Sequence, residues 1–195
     1  MKRAAIGVRA HSGWAALVSV CGKPGSVQVL DRRRIVIADA KMPGTKQPYH
    51  FAERLELRAA EKHIASCAAV SERLALAAIR DAVDELKGYE ISGAAILLAS
   101  GRPLPFLPNI LASHALIHTA EGEFFRQIIR QACDRLGIGI REIRERELGE
   151  RSAEMFAEAA APLQLEIANL GKSVGPPWTQ DQKIAALAAM IVNHS

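Results

Sequence analysis

Long apolar runs are missing from this chain. No stretch approaches the roughly 20 consecutive apolar residues that a membrane-spanning helix requires. The N-terminus, MKRAAIGVRAHSG, starts basic, but Arg9 and His11 cut its apolar run short, so it does not read as a signal peptide. These absences lead to the expectation of a soluble, cytoplasmic protein. Cysteine is scarce: Cys21, Cys67 and Cys133 lie far apart, with an odd total and no CxxC pair. That argues against a disulfide framework or a cysteine zinc site and suits a reduced compartment, with the thiols as small buried hydrophobes. Aromatic residues make up only 5%, too few to build a stacking platform for single-stranded nucleic acid. There is no internal repeat and no low-complexity segment.

What is present suits one domain spanning residues 1–195, long enough to bury a core. A hydrophobic content of 49% excludes disorder, which needs low hydrophobicity and high charge. The net charge is +4 and the isoelectric point about 9.1. This mild basicity permits an anionic ligand without demanding nucleic acid. Of 25 basic residues 17 are Arg, but they are scattered among acids, which is the pattern of a solvated mixed surface.

Three β-prone runs open the chain, near Ala4 to Arg9, Trp14 to Val20 and Val27 to Ala38, with turns at Ala10-His11-Ser12-Gly13 and Gly22-Lys23-Pro24-Gly25. The charged Asp31 to Arg34 segment suits a sheet edge, where charge discourages pairing with another chain. Tyr49 to Lys87 is helical in character, with Leu76, Ile79, Val83 and Leu86 on one face and a break expected near Ser66 to Ser71. The unbroken apolar run Ala94 to Ala99 predicts a strand covered on both faces. A helix follows from about Asn109 to Leu136, then a strand over Ile138 to Ile143, an exposed segment from Arg144 to Glu150, and further helix. Ser152 reads as an N-cap, Pro162 as a break, and Thr179 with Gln182 as a capping box.

This order, βββαβαβα, predicts an α/β fold: a five-stranded mixed sheet in the order 3-2-1-4-5, helices on both faces, the second strand antiparallel to its neighbours. With these elements placed, the chain resembles the ribonuclease H-like superfamily, and locally the branch of Holliday-junction resolvases and predicted ribonuclease H-like nucleases. The opening AIGVRAHSGWAALVSV is similar to that branch's first hairpin, and DQKIAALAAMIV to its closing helix. The resemblance implies two-metal phosphodiester hydrolysis, in which several carboxylates hold two divalent cations about 4 Å apart. At the matching positions stand Arg9, Ser100 and Lys183, with Asp181 the acid that remains nearby. A cation at such a position repels the metal. The expectation is a degenerate, non-nucleolytic domain.

Ligands of open α/β sheets bind beyond the carboxyl ends of the strands. Those ends offer Arg9, His11 and Ser12 after strand one, Ser100 and Arg102 after strand four, Glu145 after strand five, and Asp181 and Lys183 on the closing helix. Arginine there suits the forked recognition of phosphate or carboxylate, so the set is expected to bind an anion, a nucleotide or nucleic acid. The alternative is that Arg9 pairs internally with Asp181 or Glu145 and replaces a lost metal.

Two further readings stay open. His114, His118 and Glu121 share one helix face at i, i+4 and i+7, which suits a metal-dependent hydrolase if another segment completes the ligand set, or else a buried polar cluster. The helical excess suits a homodimeric interaction protein, with Leu55, Leu57 and Ile64 as the first place to look. Gly171-Lys172-Ser173 echoes a P-loop, but a helix rather than a strand precedes it.

Overall fold

In the computed structural model, residues 1–99 and 103–195 are described. The strands are β1 (Lys2–His11), β2 (Trp14–Cys21), β3 (Gln28–Val36), β4 (Tyr89–Leu98) and β5 (Ile140–Arg144). Helices α1 (Pro48–Ala52) and α2 (Leu57–Asp84) precede β4, and α3 (Leu107–Leu111) and α4 (His114–Arg135) follow it. After β5 come α5 (Leu148–Phe156), α6 (Ala160–Asn169), α7 (Gly171–Val174) and α8 (Gln180–Asn193). The sheet order is β3-β2-β1-β4-β5, with β2 antiparallel to both neighbours and β1, β4 and β5 parallel. This is the predicted topology.

Strand alternation sends neighbouring side chains into two cores. Ile6, Val8, Leu17, Ala94 and Ile96 face α2 and α4, where Ile79, Phe125 and Ile129 meet them. Ala5, Val18, Ala95, Leu97 and Ile143 face the other side, under α5, α6 and α8. The continuous apolar run of β4 is therefore buried on both faces.

One close approach fixes the closing helix. A Cβ on Gly7 would lie 1.9 Å from the Ala185 carbonyl oxygen, so the absence of a side chain lets α8 rest directly on β1. Ala185, Ala186, Ala188 and Ala189 are fully buried in this contact layer. Helix α8 starts with the predicted capping box, Thr179 accepting from the Gln182 backbone N–H and Gln182 from that of Thr179. It runs antiparallel to β1, because Ala185 lies on Gly7 while Asp181, one turn earlier, meets Arg9. The first turn of α8 is thereby set at the carboxyl end of β1.

The edge position of β3 accounts for its arginines. Arg32 donates to the carbonyls of Val174, Pro176 and Pro177, Arg33 pairs with Asp31 at 2.6 Å, and Arg34 lies 4.2 Å from the centre of the Trp14 ring.

Four local expectations are corrected. The helical break falls at 53–56, not at Ser66 to Ser71; the Ser66 hydroxyl donates to the Lys62 carbonyl at 2.8 Å, which keeps it compatible with α2. Ser152 caps nothing, being buried inside α5. The later break comes at Ala157, with φ of 48°, whereas Pro162 sits in the first turn of α6, where no N–H is needed. Leu148, expected in an exposed segment, is buried against α8's side of the sheet.

Candidate site at the carboxyl ends of the strands

Arg9 is the first residue of β1 to emerge from the buried run Ala4–Val8. Its guanidinium is gripped from two sides. Nε donates to Glu145 Oε2 at 3.1 Å and Nη2 to Oε1 at 3.0 Å, a forked pair, while Nη1 donates to Asp181 Oδ1. Glu145 arrives on the turn directly after β5 and Asp181 in the first turn of α8. Three separate segments thus converge because β1, β4 and β5 are parallel and end at the same edge of the sheet.

Asp181 Oδ2 also pairs with His11 Nε2 at 3.1 Å, and His11 stacks on Trp14 with ring centres 4.2 Å apart. Burial pulls down the pKa of Arg9, but the hydrogen bonds and charges of Glu145 and Asp181 outweigh it and hold the guanidinium above its ordinary value. Burial lowers that of His11, against the pull of Asp181. The side chains of Arg9 and Asp181 remain about a quarter and a fifth exposed, 26% and 21%, so the cluster is reachable from solvent.

Beside the cluster lies a cavity of about 460 Å³, lined by Glu145, Gln164, Gln180 and Lys183 together with Leu148, Ile167, Ile184 and Leu187. Lys183 makes no ion pair among the described residues. Ser12 is exposed in the β1–β2 turn. Ser100 and Arg102 lie outside the described residues. Arg9, His11, Glu145 and Asp181 are therefore joined in one network and Lys183 lies alongside, while the internal pairing of Arg9, the alternative drawn from the sequence, is what the geometry presents.

Neither a family model nor a curated protein sequence matches this chain. Solved structures do. Thermus thermophilus RuvC in complex with a Holliday junction substrate is 10% identical and aligns over 96% of this chain and 91% of its own, with a TM-score of 0.55. Another structure of that RuvC gives 10% identity, 96% and 92% coverage and a TM-score of 0.51. The fold is ribonuclease H-like. A Ppx/GppA family member from Aquifex aeolicus is similar only at a TM-score of 0.36, over 82% of this chain and 40% of that one, and carries no argument.

The metal pair that this fold implies does not fit the residues present. Glu145 and Asp181 both pair with Arg9, a guanidinium that cannot lose its charge at ordinary pH. Two divalent cations would have to displace Arg9 and share those two acids.

The second cluster differs from its sequence reading. Glu121 is not grouped with His114 and His118 as a ligand. It is 3% exposed, and its Oε1 accepts from the backbone N–H of Tyr49 at 2.8 Å and of His50 at 3.0 Å, with His50 Nδ1 at 3.2 Å. Gln47 provides no side-chain cap for α1, so Glu121 satisfies the free N–H groups of that helix from α4. Burial raises the Glu121 pKa against these hydrogen bonds. Arg126 pairs with Glu123 at 3.1 Å. The third residue beside His114 and His118 is His50. Sequence spacing missed it because 64 residues separate His50 from His114; the only signal was its place at a helix start in Gln47-Pro48-Tyr49-His50.

The cysteines are all buried, and none is a nucleophile candidate. Burial, assisted by nearby acids, pushes Cys67 up to about 11 and Cys133 up to about 12.

Proposed function

We propose that this chain is a non-nucleolytic ribonuclease H-like module that holds an anionic ligand, a nucleotide or nucleic acid, at the carboxyl ends of its strands. The seat of the Arg9 guanidinium between Glu145 and Asp181 carries this reading. It takes up the carboxylates that metal-assisted hydrolysis would need. It also cancels much of the acidic charge that would repel a phosphate, leaving Lys183 as the cation lining the adjacent cavity. Arg9 then acts as an internal counter-ion, and Lys183, His11 and Ser12 supply the contacts, with Ser100 and Arg102 assigned to the same rim from the sequence. The likeness to a RuvC solved with a Holliday junction favours nucleic acid as the ligand class.

The test is fluorescence anisotropy with a labelled four-way DNA junction and a labelled single strand. Binding is expected to weaken steeply with salt, because neutralised phosphates release counterions. Lys183→Glu is expected to weaken it at least fivefold, and the DNA to stay intact in magnesium or manganese. Metal-dependent cleavage, or unchanged affinity in Lys183→Glu, would reject the proposal. A homodimeric reading is supported by Phe51 and Leu57, 40% and 44% exposed at neighbouring helix ends.

A further inference from the structure

We infer that His50, His114 and His118 form a binding site for a first-row divalent cation of the zinc class, separate from the Arg9 cluster. One ring nitrogen from each histidine lies within 4.8 Å of those of the other two. The Nε2 atoms of His114 and His118 are 3.0 Å apart, converging on one point as i, i+4 residues of a helix do. Tetrahedral zinc with bonds of about 2.0–2.1 Å separates its nitrogen ligands by about 3.3 Å, which the His114–His118 pair approaches, with a His50 nitrogen within 4.8 Å of both. The three rings pack edge to face, at interplanar angles of 82°, 68° and 84°, and so gather around one point without stacking over it.

A second, independent observation lies behind the ring of His50. Its Nδ1 faces Glu121 Oε1 at 3.2 Å, which leaves Nε2 for a metal. A carboxylate bound to the far nitrogen fixes tautomer and orientation and makes the ring a better ligand. Glu121 is itself held in place by the N–H groups of Tyr49 and His50, and its other oxygen, Oε2, is buried with no hydrogen-bond partner among the described residues. The same contacts dock α1 on α4, so the fold builds the histidine triangle and its supporting carboxylate together. Glu121, taken as a ligand from sequence spacing, becomes a positioning residue. His114 and His118 are exposed, which leaves a fourth coordination position open to water or another small ligand.

The experiment uses the full chain, stripped with EDTA, then titrated with Zn²⁺ by calorimetry and with Co²⁺ by visible absorption. One equivalent is expected to bind at micromolar or tighter affinity, and Co²⁺ to give the intense visible bands of a four-coordinate site. His114→Ala and His118→Ala are each expected to weaken Zn²⁺ binding at least tenfold. Because both side chains are exposed, circular dichroism and the metal-free unfolding midpoint are expected to stay unchanged. Glu121→Gln is expected to weaken binding roughly 10- to 100-fold, with the Co²⁺ spectrum shifted rather than abolished. Less than a tenth of an equivalent bound, or equal affinity in the His114→Ala/His118→Ala double variant, would overturn the site. Neither result bears on DNA binding through Lys183, so the two proposals fail separately.

Discussion

Arg9 decides the chemistry of the strand ends because a guanidinium is a permanent cation with a rigid fork of donors. Losing it would leave Glu145 and Asp181 facing each other without a counter-ion; at this partly exposed position Arg9→Met is expected to cost only a modest part of the stability, since solvent screens the remaining charges. His11 gives a sharper test. Its pKa is lowered chiefly by burial, with Asp181 opposing and Arg9 assisting. The unfolded chain therefore takes up a proton first as pH falls. Stability is fully present above the ordinary histidine value of about 6.5, falls as pH drops through it towards the lowered value, and then levels off. His63 shifts in the same direction through burial and contributes in the same window. Denaturant titrations from pH 7.5 to 5 are thus expected to show a flatter slope in His11→Gln than in the wild type; an unchanged or steeper slope would contradict the lowered value. Much at this scale is legible in the sequence, since Arg9, Glu145 and Asp181 all fall at the ends of elements that local patterns place. Which of two physical outcomes they adopt was not, because spacing gives proximity to a strand end and not the direction of a side chain.

Helix α8 and strand β1 are the elements that make the site possible. Their contact is backbone on backbone at Gly7 and Ala185, and no rotamer change can create room for a Cβ held 1.9 Å from a carbonyl oxygen. Gly7→Ala is expected to destabilise the protein by about 3 kcal/mol or more and to loosen the Arg9–Asp181 pair, read out by chemical denaturation; a change below about 0.5 kcal/mol would show that α8 does not rest on β1 as described. The strands and α8 were legible because their signals are local: alternation, turn residues and a capping box. The misplaced cap has a tertiary cause, because Ser152 is buried inside α5. Glu121 docks α1 on α4 from a distant part of the chain. Pro162 was misread because proline breaks a helix interior but fits its first turn. His50 reaches His114 and His118 only through that same docking of α1, which no single-helix pattern encodes.

For the whole molecule, the topology was readable because the succession of elements and the doubly covered character of β4 left few arrangements of a five-stranded sheet. Among the described residues no helix is long and apolar enough to cross a membrane. The fold is similar to that of a RuvC solved with a Holliday junction substrate, and the strand ends of this chain carry an arginine-centred network. The partner-surface reading fares unevenly: Leu57 is exposed, but Ile64 packs against the main core. The measurement that bears most directly on the central claim is a crystal structure of the protein grown in millimolar Mn²⁺, with anomalous scattering recorded to locate the metal. The account predicts Arg9 between Glu145 and Asp181 with no anomalous peak on either carboxylate. Two peaks about 4 Å apart there, with Arg9 swung away, would contradict it.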